Sequence, residues 1–328
     1  MGLASEFKLF VRSHLPEAIV DAQPADICVI DSMCSLRGFV PDCDPEISTR
    51  PLDALVSRIV DAASSGAPGV SNTKPKTHLL DFHNAGCTHL LDFHNAGCTL
   101  LVVFDRQLST TRMKENEQAK RNVKRQKVEV SKKIWTVEET DAMLARRELP
   151  AGSEWGDLLD NREMRGRVVE ALASTMFARF QASEGVMERV NKLIVVNGRI
   201  GADLERGYGP RAQTADREDP ECRDVDIDEA PWSGEADIAM ARWIRILRKD
   251  QHPRISVHTV DTDIVPICMI HGGENCTVHL SSPLPQHRMR ISTYALGQAF
   301  YRMYGLRPEE AVVVAISKKT DFTKVCQC

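Results

Sequence analysis

The residues best equipped for chemistry in this chain are carboxylates that follow apolar runs. Asp31 follows ICVI (27–30), Asp105 follows LLVVF (100–104), and Asp261 and Asp263 stand one residue apart after ISVHTV (255–260). Asp321 comes after AVVVAI (311–316) and a short SKKT, and Glu235 and Asp237 open the segment SGEADIAMARWIRIL (233–247). A carboxylate is costly to bury unless something positive meets it, and seven that converge repel one another unless cations are present. Mg²⁺ and Mn²⁺ take oxygen ligands and keep several waters. Two such ions about 4 Å apart clamp the attacking and leaving oxygens of a phosphodiester during an in-line displacement. Acids without histidine or cysteine companions therefore suit phosphoryl chemistry on a nucleic acid, whereas a zinc hydrolase shows more histidine.

Each acid also has a plainer reading. An aspartate after a strand often caps a turn or a helix, acids in a first helical turn suit the helix dipole, and Asp-Thr-Asp is also a natural Asx turn. Convergence separates the two readings, because caps have no reason to meet at one place.

The elements that would bring them together are legible as runs. ICVI, LLVVF, KLIVV (192–196), ISVHTV and AVVVAI are short, β-rich and largely apolar. Helical patterns such as PLDALVSRIVDAA (51–63) and REMRGRVVEALASTMFARFQ (162–181) lie between them. Continuous apolar strands alternating with helices predict a mainly parallel sheet covered on both faces. Ligands of open parallel sheets bind outside the carboxyl ends of the strands, so four strands would deliver acids to one edge. The helix that opens with Glu235 and Asp237, with apolar positions Ile238, Ala241, Ile244 and Leu247, would bring its first turn to the same edge.

The totals agree with a globular domain. The chain has 328 residues, 42% hydrophobic and 27% charged, with a net charge of −4 that names no partner. No run reaches the roughly 18 apolar residues of a membrane helix, and Glu6, Lys8 and Arg12 make the N-terminus no signal peptide. MGLASE loosely fits a myristoylation start, but Glu6 stands where that motif wants Ser or Thr. Ten cysteines show no paired CxxC and no histidines at zinc spacing, which points to a reduced, intracellular protein, the nucleus being one compartment open to it.

Two segments stand out by composition. Residues 112–133 hold nine basic side chains against Glu115, Glu117 and Glu129, without Gly or Pro, and predict a long exposed helix. Residues 204–230 are acidic and rich in turn formers, predicting a flexible insertion. An eleven-residue stretch, THLLDFHNAGC (77–87), recurs at once as 88–98. Duplication explains its repeated histidines without a metal site. Only the second copy runs into a strand, so the first is expected as added helix or loop.

In order along the chain, these residues resemble the flap endonuclease family of structure-specific 5′ nucleases. MGLASEFKLFVRSHLPEAI is similar to the family's N-terminal block, with Gly2 near the active site, and ICVIDSMCSLRGF to its first catalytic block. NAGCTLLVVFDRQ is similar to the block ending in FDG, SGEADIAMARWI to the internal block with EAEA-type acids, ISVHTVDTDIV to the strand with paired aspartates, and AVVVAISKKTDF to the last block.

The resemblance implies an α/β fold, three-layer α/β/α with a mainly parallel central sheet (the PIN-like nuclease fold) and a basic helical arch-like segment. It implies one domain over 1–328: an N-terminal block 1–111, a basic helical segment 112–190, an insertion 198–230 and an internal block 231–325. The family's helix–two-turn–helix and sliding-clamp peptide have no counterpart in the sequence.

The implied cofactors are two Mg²⁺ or Mn²⁺ ions. Asp31, Asp105, Glu235 and Asp237 would serve mainly the first, and Asp261, Asp263 and Asp321 mainly the second; binding of these ions is expected to raise thermal stability. The catalytic Lys and Arg of the family fall on Lys114 and Arg121, and counting forward from Asp105 favours Arg112 in place of Lys114. Lys120, Lys124 and Arg125 extend the cationic helix that would neutralise and steer a phosphate strand. A solvated face or a nuclear localisation signal (KRNVKRQK, 120–127) is the alternative for this segment. Arg37 stands where the family often has a base-stacking Tyr, and Arg106 where it has the FDG glycine.

The implied partner is nucleic acid, a DNA flap or 5′ end, with RNA open and no membrane; the oligomeric state is not legible. Two other readings are kept: an Xrn-type 5′→3′ exoribonuclease, which PWSGEAD (231–237) and DTDIV also resemble, and a catalytically silent PIN-like scaffold that binds RNA or protein.

Overall fold

The structure, a computed structural model, describes residues 4–21, 25–37, 51–64, 97–104, 133–150, 152–196, 212–225, 236–248, 252–281 and 288–319. The strands are β1 (Ile27–Asp31), β2 (Cys98–Val103), β3 (Val190–Val196), β4 (Ala212–Asp216), β5 (Arg223–Val225), β6 (Ile255–Thr259), β7 (Cys276–Leu280) and β8 (Met289–Ser292). They form one mostly parallel sheet in the order β5-β4-β3-β2-β1-β6-β7-β8. The inner five, β3-β2-β1-β6-β7, are parallel, while β4, β5 and β8 join antiparallel at the flanks. The chain grows outward from β1 to β3, then returns to the other side of β1 with β6. Two adjacent strands are thereby left whose connections run in opposite directions, the geometry in which open α/β sheets bind ligands.

Four apolar runs become inner strands because they are buried on both faces. Cys28, Ile30, Leu100, Val102, Leu193 and Val195 belong to one core, and Ile27, Val29, Leu101, Val103, Ile194 and Val196 to another. The helices α3 (Pro51–Ser64), α4 (Val137–Ala145), α5 (Gly152–Asp160) and α6 (Arg162–Gln181) contribute to the first core. The helices α1 (Ala4–His14), α7 (Ala236–Arg248), α8 (Ile264–His271) and α9 (Thr293–Tyr304) contribute to the second. Caps define several of these ends. Thr136 and Glu139 form a reciprocal capping box on α4, Asn161 accepts from Glu163 N and Met164 N at the start of α6, and α9 ends at Gly305 in the left-handed region.

Three expectations are overturned. The run 311–316 is not a strand: it lies in α10 (Pro308–Lys319). Pro308 stands at the first helical position, Glu309 and Glu310 sit in the first turn, and Glu310 accepts the Arg307 backbone N–H at 2.8 Å. These start signals outweigh the β preference of three consecutive valines, and Val313 is 66% exposed, as no inner-strand valine would be.

The insertion is ordered between 212 and 225, where β4 and β5 make a hairpin on the open edge of β3. Arg217 fastens it: its guanidinium donates to the carbonyls of Val190 and Phe180, each at 2.8 Å, and to Met187 O, and stacks 4.2 Å over the Phe180 ring.

Finally, α7 buries Ala236, Ala239, Met240, Trp243 and Ile244, whereas Ile238 is exposed. Its inner face is thus rotated from the one read in the sequence. The segment 112–132 and the repeat up to residue 96 lie outside the described residues; β2 begins on Cys98, the last residue of the second copy.

Candidate functional site

At the carboxyl end of the sheet, β1 finishes on Asp31 and β6 on Thr259. Asp31 is buried, 7% exposed. The Thr259 hydroxyl donates to Asp31 Oδ2 at 3.0 Å and accepts the Asp261 backbone N–H at 2.9 Å. Asp261 Oδ1 in turn accepts the Asp263 N–H at 3.0 Å, and Val265 N–H bonds Thr262 O at 3.1 Å as the chain winds into α8. The Asx turn is therefore real, and it coexists with the contact to β1. Asp263 occupies the N-cap position of α8, but its carboxylate makes no capping bond. The plain cap reading thus fails for this residue.

Asp237 lies in the first turn of α7, which runs beside α8. The Cys268 thiol on α8 is pushed well above its ordinary value, first by its hydrogen bond with Cys276, then by burial, with the charge of Asp237 adding to the effect. Asp237 thus lies within electrostatic reach of Cys268 on the neighbouring helix.

The carboxyl ends of β2, β1 and β6 are neighbours, in that order, with Asp31 on β1 and the Asp261/Asp263 turn after β6. Phe104, which bonds Val196 O, is the last described residue before Asp105. Asp105, Glu235, Asp321, Gly2, Arg112, Lys114, Lys120, Arg121, Lys124 and Arg125 lie outside the described residues, as does the side chain of Arg37 at the end of α2 (Ser32–Arg37). The expected delivery of Asp321 by a strand is lost with the helical 311–316 segment.

The described acids offer oxygen donors only, which matches a hard divalent cation in kind. Among the described residues, no group of three or more His, Cys, Asp or Glu side chains stands close enough to hold a metal ion.

Two polar features were missed in the sequence. Thr259 shares its parity with Ile255 and Val257, which face the second core. A lone hydroxyl in that inward row was the available signal. On the opposite parity of β6 to β8, His258 pairs in register with His279 and His279 with Arg290. The two rings lie 4.4 Å apart, Ser256 Oγ is 3.0 Å from His258 Nε2, and Arg290 Nε donates to His279 Nδ1 at 3.4 Å. Burial, and then the nearby Arg290 charge, push His258 down to about 4. His279 is lowered well below its ordinary value by burial, His258 and Arg290.

The amino end of the same two strands is built differently. Asp26, just before β1, accepts Arg254 Nη2 and backbone N–H, each at 2.8 Å, and Arg254 Nε at 3.3 Å. Hydrogen bonding by Arg254 holds the Asp26 carboxyl below its ordinary range, and Asp26 raises Arg254 in turn.

No known protein family matches the chain, and no curated protein matches it either.

Proposed function

We propose that this chain is a Mg²⁺- or Mn²⁺-dependent nuclease of three-layer, PIN-like architecture, cleaving phosphodiesters as a structure-specific 5′ flap endonuclease and 5′→3′ exonuclease on DNA. The observation that carries the reading is the bridge from Asp31 through the Thr259 hydroxyl to the Asp261 amide, at the point where the strand connections diverge. It ties Asp31 to Thr259, 228 residues away in sequence, and through it to the turn that carries Asp261; a shared cation site would have use for such a link, which a cap alone does not need.

Bound divalent ions would supply charge neutralisation and an activated water. The chain's own contribution would be its carboxylates, Asp31, Asp105, Glu235 and Asp237 serving mainly the first ion and Asp261, Asp263 and Asp321 mainly the second. The basic segment around Lys114 and Arg121 would meet the scissile phosphate. A catalytically silent scaffold is the second reading, and the helical 311–316 segment favours it, since the strand expected before Asp321 is missing.

The test is a panel of 5′-labelled flap, nicked and single-stranded DNA and 5′-monophosphate RNA, incubated with purified protein and Mn²⁺. Flap cleavage that chelator and Asp261→Ala both abolish supports the proposal. Cleavage confined to RNA moves the chain to the Xrn-type reading. No cleavage of any substrate, together with a melting temperature indifferent to Mn²⁺, sinks the nuclease.

A further inference from the structure

On the face of the sheet opposite Thr259, strands β6, β7 and β8 carry a row of polar side chains. His258 is 7% exposed and pairs in register with His279, which pairs with Arg290. The rings lie 4.4 Å apart, and Arg290 Nε donates to His279 Nδ1 at 3.4 Å. That bond needs the ring nitrogen as an acceptor. A protonated imidazole has two donors and no acceptor, so His279 holds Arg290 only while it is neutral. Protonation would set two N–H groups against each other and place a cation beside a guanidinium. His258 has more freedom, because the Ser256 hydroxyl, 3.0 Å from its Nε2, can turn to accept as well as to donate.

The charges that act on the two rings are Arg290 and, for His279, His258. Their neighbours of the same parity are Cys28 and Ile30 on β1, Ser256 on β6, Thr277 on β7 and Ser292 on β8. Asp31 has the other parity and takes the Thr259 hydroxyl. Strand β8 ends the sheet and carries the N-terminal segment on its outer edge. Ile19 bridges Ile291, Val20 N–H bonds Arg290 O at 3.1 Å, and Arg12 Nη2 donates to Arg288 O at 3.0 Å. Glu17 and Asp21 on that segment are exposed, and Glu17 pairs with Arg302 at 2.9 Å. Arg290 thus touches the histidines through its side chain and the N-terminal segment through its carbonyl.

We propose that this row is an acid-released latch: protonation of His279 breaks its bond to Arg290 and loosens β8, and the segment docked on β8 comes away with it. The proposal stands apart from the nuclease reading. Both rings are held neutral in the closed state, His258 lowered to about 4 and His279 well below its ordinary value, by burial first and then by charge. A histidine lowered in the fold stabilises it in full above its unfolded value, about 6.5, and loses that contribution as pH falls toward the folded value. The latch is therefore closed at neutral pH and opens as pH falls below about 6.5.

The experiment is amide hydrogen exchange of the full chain at pH 7.5 and 4.5, each rate corrected for the intrinsic rate at that pH. Residues 19–20 and strand β8 are expected to lose protection at pH 4.5 by about tenfold or more, while β1 and β2 keep theirs. His279→Asn puts an amide oxygen near the place of Nδ1, an acceptor that takes no proton. In that variant β8 should stay protected at pH 4.5. If His279→Asn does not fold, His279→Gln takes its place, with the same acceptor on a longer stem. Protection of β8 that does not change with pH relative to β1 overturns the proposal. So does an equal acid loss in the His279 variant. A loss spread evenly over all strands overturns it too, because the whole fold, not the latch, would then be opening.

Discussion

Strands β1 and β6 lie side by side, and an aspartate stands at each end of the pair, yet the two ends solve the problem of its charge differently. At the amino end Asp26 is closed against Arg254 by three hydrogen bonds, and the pair is complete in itself. At the carboxyl end the donors described to Asp31 and Asp261 are a hydroxyl and a backbone amide. An arginine orients a carboxylate and cancels its charge; a neutral donor orients it and leaves the charge in place. The first arrangement pairs opposite charges at the surface, whereas the second ties the end of β1 to the turn after β6 through a hydroxyl.

The sharpest way to break this comparison is to remove one acid from each end. Asp31→Asn or Asp261→Ala is expected to lower flap cleavage by about a thousandfold, the equivalent of several kcal/mol of lost transition-state stabilisation. Arg254→Ala should leave the rate per folded molecule unchanged. Equal losses from both, measured as kcat on folded protein, would erase the distinction.

Between the two ends sits His258, which titrates with stability rather than with catalysis. Its folded value, about 4, is below its unfolded value, so the neutral ring is favoured in the fold. The stability it contributes is present in full above pH about 6.5 and is lost as pH falls from there toward 4, on the order of 3 kcal/mol in total. His279 shifts in the same direction, with Arg290 beside it as the charge that opposes protonation. Urea midpoints at pH 7.5 and 4.5 check this, and His258→Gln should flatten the difference.

The smallest effect belongs to the closed pair. Asp26→Asn should cost about 1 kcal/mol or less, because both side chains are about half exposed and solvent screens them. The Asp26 carboxyl is held below its ordinary value, so its contribution is present above the usual carboxylate range and disappears as pH falls through the folded value. Thermal melts in low and in molar salt should show the difference between Asp26→Asn and wild type shrinking.

Strands buried on both faces were legible because ICVI, LLVVF and most of KLIVV are apolar on both parities; ISVHTV was legible by its Ile and Val, although Ser256 and His258 put polar groups on its other face. The equally apolar AVVVAI misled for a local reason: Pro308 and the two glutamates after it start a helix before the valines are reached. The 212–225 hairpin was illegible from composition. Its residues gain structure by pairing with the open edge of β3 and by the grip of Arg217, and both lie elsewhere in the chain. Of the site, the aspartates after β1 and β6 could be read as strand-end acids, whereas Thr259 could not be singled out. A threonine in a β run is ordinary, and only the register of β1 against β6 gives its hydroxyl a purpose.

The hairpin's place at the flank has a consequence for how such a chain can change. Three strands, β3, β2 and β1, stand between it and β6. Lengthening, trimming or recolouring the surface of that outer ribbon leaves the far side of the sheet undisturbed. The chain can thus acquire or discard contacts at its margin while the arrangement at its centre is inherited intact.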